Sequence, residues 1–115
     1  MGQLLVVDAA NTVGSQPDGW WRDRAGAVTR LRDALAALAD GATQVVLVVE
    51  GAARGVPGVD GVRVVAAAGS GDDTIVDVVA AASVPCVVVT SDRQLRERVT
   101  ALGAQVHGPR SLPRW

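Results

Sequence analysis

Gln3-Leu4-Leu5-Val6-Val7-Asp8-Ala9-Ala10-Asn11 is the stretch on which the reading of this chain turns. Residues 3–8 are apolar and β-branched near their end, the mark of a short buried strand. The strand closes on a carboxylate, Asp8, and an amide, Asn11, follows three residues later. The same device recurs along the chain. Val45 to Val49 runs into Glu50, Val62 to Ala68 into Gly69-Ser70-Gly71-Asp72-Asp73, and Val87-Val88-Val89 into Thr90-Ser91-Asp92. In an open parallel sheet, such strand ends lie side by side along the edge where ligands bind.

Outward from these strands, helices and strands alternate. Residues 12–19 read as a loop with Pro17-Asp18-Gly19 as its turn. Residues 20–39 read as a helix, with Ala25, Val28, Leu31, Leu35 and Leu38 at three- and four-residue spacing. Residues 44–50 form the second strand, 51–61 a Gly-rich loop and 62–67 the third strand. A helix over 71–82 buries Ile75, Val76, Val78 and Val79. A fourth strand spans 86–90, and a helix over 92–102 turns Leu95, Val99 and Leu102 inward. Residues 104–107 make a short fifth strand, and the tail from Gly108 is irregular. Strands that are apolar on both faces and alternate with helices specify a parallel sheet covered on both sides. The expectation is one three-layer α/β domain over residues 1–115.

Composition narrows the possibilities. Hydrophobic residues make up 49%, yet Phe and Tyr are absent, so Val, Leu and Ala must fill the core. No apolar run is long enough to span a bilayer and no leader opens the chain, so a cytoplasmic protein is expected. The single Cys86 reads as a buried strand residue, in keeping with a reducing compartment. The net charge is -1, but its distribution matters more. With Asp8, Glu50, Asp72, Asp73 and Asp92 gathered in one site, seven acids face 11 Arg elsewhere, which permits local nucleic-acid contact. The chain has no Lys, which argues against a P-loop and against phosphatase and receiver folds that carry a Lys among strand-end acids.

Carboxylates crowded in a pocket of low dielectric repel one another and stay ionised most easily around a cation. Mg²⁺ or Mn²⁺ takes one or two such carboxylates plus substrate oxygen, and can activate a water against a phosphodiester. Asp8, Asp72, Asp73 and Asp92 are the candidate metal ligands, with Asn11 beside them in the catalytic group. Glu50 and Asp72 are expected at the rim, and Asp8, Asp73 and Asp92 within a few ångströms to about 8 Å of one another. Each acid also has a purely structural reading. Ser70 suits an N-cap with acids in the first turn, and Ser91 with Gln94 matches a capping box. Trp20-Trp21-Arg22-Asp23-Arg24 offers stacking and phosphate contacts. The structural alternative puts one Trp under the loop and leaves the other half exposed. Trp20, Trp21, Arg22, Arg24, Ser70 and Ser91 are therefore candidate substrate contacts, with Arg54 at the fringe.

Val6-Val7-Asp8-Ala9-Ala10-Asn11-Thr12-Val13-Gly14 resembles the opening segment of NYN-domain proteins, the YacP-like branch of the PIN-like nuclease superfamily. Gly69-Ser70-Gly71-Asp72-Asp73 and Val89-Thr90-Ser91-Asp92 resemble two further blocks of that family, in family order and across nearly the whole chain. Pro17 to Arg24 resembles a high-GC actinobacterial subgroup, whose members are sometimes labelled nucleoside triphosphate pyrophosphohydrolases. The resemblance implies a PIN-like fold of strand order 3-2-1-4-5 with acids that bind Mg²⁺ or Mn²⁺. Asp8, Asp73 and Asp92 match its acidic positions and Asn11 its Asn. Ser70 departs from a common Glu, and Glu50 from a common Asp. The leading expectation is a metal-dependent ribonuclease with RNA as its partner. A non-catalytic RNA-binding or regulatory domain and a nucleotide pyrophosphohydrolase stand as alternatives.

Overall fold

A computed structural model describes residues 2–115 of the chain. Strand β1, Gln3–Asp8, lies at the centre of a five-stranded parallel sheet of order β3-β2-β1-β4-β5. Strand β2 is Thr43–Val49, β3 Val62–Ala66, β4 Cys86–Val89 and β5 Gln105–His107. The α/β class and the strand order are as expected. Val6 pairs in register with Val46 on one side and Val88 on the other.

The alternation of strand side chains splits the core into two layers. Val7, Val45, Leu47, Val49 and Val89 face one way, against Ala27, Val28, Leu31 and Leu35 of helix α2, Arg24–Ala36. Leu4, Val6, Val46, Val48 and Val88 face the other way, against helices α3, Gly71–Ala81, and α4, Arg93–Ala101. Those helices contribute Ile75, Val79, Leu95 and Val99. Leu31, Leu35, Leu47, Ile75 and Leu95 are fully buried, each worth about 1.5–3 kcal/mol of transfer free energy.

No regular α-helix joins β2 to β3. A 3₁₀ turn over Gly51–Ala53 and the following loop drop Ala53 and Val56 onto the α2 layer instead. Arg32 of α2 holds this loop by donating to the Pro57 carbonyl at 2.9 Å. Gly51 has φ 59°, a left-handed conformation that lets the chain turn away immediately after Glu50.

Several boundaries differ from the sequence reading. The segment after β1 is not a loop from residue 12: helix α1, Ala9–Gly14, starts directly after Asp8. Asp8 is its N-cap, so one residue ends the strand and opens the helix. The long helix over 20–39 is broken. A 3₁₀ turn holds Trp20–Arg22, and Asp23, at φ −152° and ψ 78°, restarts the chain as α2 by accepting from the Gly26 N–H. Ala25 and Leu102 are exposed rather than inward, and Val76 and Val78 are only partly buried.

Candidate functional site

Asp8 is the buried centre of the carboxyl edge, 5% exposed. Its Oδ1 accepts from the Asn11 N–H at 3.3 Å and its Oδ2 from the Thr90 hydroxyl at 3.1 Å. Burial pushes its carboxyl up from 3.8 to about 6. The two hydrogen bonds oppose that rise, while Asp72 and Glu50 add repulsion in the same direction as burial.

The other acids of this edge come from three elements. Glu50, just past β2, crosses to the first turn of α3 and accepts from the Gly71 N–H. Glycine eases that approach, because a Cβ on residue 71 would stand 3.0 Å from Glu50 Oε2 and push the carboxylate back by a few tenths of an ångström. The added methylene of Glu over Asp lengthens this reach. Asp72, one residue on, is raised by burial and then by Asp92 and Glu50. Asp92 is the N-cap of α4, its Oδ1 accepting from the Leu95 N–H at 2.8 Å. The capping box expected from Ser91 and Gln94 does not form: the cap is Asp92, with Leu95 at N3, and Ser91 is engaged elsewhere. Its N–H and hydroxyl both donate to Asn11 Oδ1, at 2.8 and 3.0 Å.

The structure therefore gathers Asp8, Glu50, Asp72 and Asp92. Asp73 is directed elsewhere: its Oδ1 pairs with Arg98 Nη2 of α4 at 2.9 Å, and its side chain is 74% exposed. Such an exposed pair contributes little to stability. The helical step of about 100° between neighbours separates Asp72 from Asp73. Asn11 and Ser91 bind each other and tie α1 to the loop between β4 and α4. Ser70 caps α3 by accepting from the Asp72 N–H at 3.2 Å.

Thr90 escaped the sequence reading. It is fully buried, donates to Asp8, and accepts from the Asp92 N–H at 3.1 Å, so it couples two of the acids. The signal was its place between Val89 and Asp92, but only the β1–β4 register, Val7 opposite Val89, sets it beside Asp8.

The tryptophan segment flanks this edge. Trp20 packs on the α2 layer, and Trp21 is 57% exposed. Their rings meet edge to face at 6.1 Å, with Arg24 over Trp20 at 5.3 Å and Arg22 over Trp21 at 5.9 Å. A pocket of about 230 Å³ opens between Trp20, Arg24, Ala10, Glu50 and Gly69. Arg54 is exposed at the end of the Gly51–Ala53 turn and does not line it. A larger cleft of about 920 Å³ lies at the opposite end of the sheet, lined by Thr43, Arg63 and Asp77 among others. It contains none of the strand-end acids, so its size does not make it the chemical centre.

The donor set is all oxygen, which suits a hard divalent cation. Among the described residues, no three His, Cys, Asp or Glu side chains converge into a metal-holding group. A cation fitting this edge would take one or two carboxylates and complete its shell with water and substrate oxygen, as Mg²⁺ commonly does.

No family model and no curated protein matches the sequence. Among solved structures, the chain is similar to Rae1 (YacP) from Bacillus subtilis, in its W164L mutant form, at 21% identity and a TM-score of 0.74. The match covers 96% of this chain and 71% of that one. It establishes a shared fold. No helix among the described residues is long and apolar enough to cross a membrane.

Proposed function

We propose that this chain is a metal-dependent ribonuclease of the YacP-like, PIN-like type, acting in the cytoplasm on single-stranded RNA with Mg²⁺ or Mn²⁺. The observation that carries the reading is the placing of Asp8, Glu50, Asp72 and Asp92 along one edge, where Asp72 and Glu50 act on a buried Asp8 and Asp92 acts on Asp72. The YacP-like fold and the resemblance of the strand-end motifs support the same class. One or two of Asp8, Asp72 and Asp92 would hold the cation, with water and substrate oxygen completing its shell and Asp72 taking the role that the sequence pattern offered to Asp73. Bound there, a divalent cation supplies an acidified water and polarises a phosphoryl oxygen.

The chain's own residues prepare this edge. The Thr90 hydroxyl fixes Asp8 Oδ2, and its oxygen receives the Asp92 N–H. The Asn11–Ser91 pair holds the loop that carries Asp92. Glu50 holds the first turn of α3 and hence Asp72. Trp21 with Arg22, and Trp20 with Arg24, offer stacking surface and positive charge to a passing strand. The pocket beside Glu50, about 230 Å³, falls short of the ~300–1,000 Å³ that bury a drug-sized ligand. That favours a strand over an enclosed nucleoside triphosphate.

One observation favours a second reading, a binding-only domain. Asp8, Glu50 and Asp92 all accept backbone hydrogen bonds that could be their whole purpose. Purified protein with Mn²⁺, a labelled RNA oligomer and a panel of nucleotides decides the matter, with Asp8→Asn and Asp92→Asn as controls. RNA cleavage lost in both variants supports the nuclease. Nucleotide turnover without RNA cleavage refutes it, and RNA retention without any turnover favours the binding domain.

A further inference from the structure

The pocket beside Glu50 has a composition of its own. Its floor is apolar, formed by Ala9, Val13, Val28 and Ala53. One wall is the indole of Trp20 with the Arg24 guanidinium 5.3 Å from its centroid. Glu50, Gly51 and Gly69 also line the pocket, and the two glycines leave backbone in reach. Glu50 uses one oxygen, Oε2, to accept from Gly71; this is the only hydrogen bond to its carboxylate among the described residues. Its second oxygen has no donor among the described residues, and Glu50 lines the pocket. Ala9 lines the floor immediately after Asp8, so the pocket adjoins the acidic edge.

We infer that this pocket between Trp20–Arg24 and Glu50 receives one nucleobase of a bound RNA strand, and selects a base carrying an exocyclic amino group. The inference rests on RNA being the ligand of the acidic edge. An aromatic and guanidinium wall takes the π-face of any base. The discriminating group is Glu50. A carboxylate accepts from the amino group of cytosine or adenine. Uracil presents a carbonyl where cytosine carries its amino group and offers a carboxylate only its N3–H, flanked by two repelling carbonyls. Adenosine, cytidine and guanosine, whose bases all carry an exocyclic amino group, are therefore bound in preference to uridine at this position. The apolar floor excludes phosphate, which stays outside with Arg22 and the acid-bound cation.

The test is binding of labelled adenosine, cytidine and uridine pentaribonucleotides, read by fluorescence anisotropy in an Asp8→Asn background that prevents cleavage. Adenosine and cytidine pentamers bind about fivefold more tightly than uridine, a modest effect beside that of base stacking. Glu50→Gln, which can keep an oxygen on Gly71 and turn an amide N–H₂ to the pocket, narrows or inverts that preference. Ala10→Leu fills the pocket and weakens binding of all pentamers about tenfold, within the range for loss of one stacked base. Arg24→Ala, at an exposed position, weakens binding in the same direction should Ala10→Leu fold poorly. Equal affinity for the uridine and cytidine pentamers overturns the selection. Unchanged affinity in Arg24→Ala and in a folded Ala10→Leu overturns the subsite. Cleavage by the wild type with no effect of these variants leaves the nuclease standing without the pocket. Pocket-dependent binding without cleavage does the reverse, and absence of RNA binding altogether removes both.

Discussion

Replacing Asp8 by Asn should make the metal-free protein more stable at neutral pH and not at acid pH. The folded protein raises this carboxyl from 3.8 to about 6, chiefly by burial. The native state thus holds the proton more tightly than the unfolded chain. Stability from this group is fully present below pH 4 and is lost as pH rises through 6. The gap corresponds to about 3 kcal/mol. Asn carries no charge, so the variant escapes that loss. It does sacrifice the acceptor for the Thr90 hydroxyl, at a cost of about 1 kcal/mol. At pH 7.5 in EDTA, Asp8→Asn should therefore exceed wild type by about 1–2 kcal/mol, or roughly 4–8 °C in melting temperature. At pH 4 the advantage should vanish or change sign. Urea unfolding at pH 4, 5, 6 and 7.5 measures the difference directly. An offset between the two proteins that stays constant across this range would refute the account of Asp8 as a carboxylate strained by burial.

Four further outcomes follow from the same geometry. Millimolar Mn²⁺ should raise the melting temperature of wild type at pH 7.5, by up to about 2.7 kcal/mol equivalent at a hundredfold excess over Kd; calorimetry of Asp8→Asn should show most of that rise gone. Asp72→Asn should abolish RNA cleavage, whereas Asp73→Asn, which only breaks the exposed pair with Arg98, should cleave normally and change stability by less than about 0.5 kcal/mol. Thr12 is fully buried and its hydroxyl has no partner among the described residues, so Thr12→Val should stabilise the protein by about 1 kcal/mol in urea unfolding. Gly26→Ala would drive a methyl into the Asp23 carboxylate that caps α2, and thermal melting should show the loss of that cap cancelling the gain of about 1 kcal/mol that Ala brings over Gly in a helix.

The sequence alone determined the sheet and its acidic edge. Strands buried on both faces need unbroken runs such as Leu4 to Val7 and Val45 to Val49, and each run ends where polarity returns. Parallel strands then put Asp8, Glu50 and Asp92 along one edge, a consequence of chain direction that requires no coordinates. What stayed illegible were choices between near-equal local options. Asp8 was visible as a strand end, but its second task as the cap of α1 hid that helix in a segment read as loop. Asp23 broke a periodic pattern because its carboxylate met the Gly26 N–H. Only the tertiary structure gives Asp72 and Asp73 different surroundings, Asp72 near Asp92 and Glu50 and Asp73 on Arg98. The two are neighbours in sequence and about 100° apart on a helix, and only the seating of α3, fixed by Glu50 on Gly71 and by Ile75 and Val79 in the core, turns Asp72 toward Asp8. The same is true of Thr90. Its hydroxyl belongs to the site only because strand β4 docks on β1 in one register, and registers are set by the packing of whole faces rather than by any residue within them.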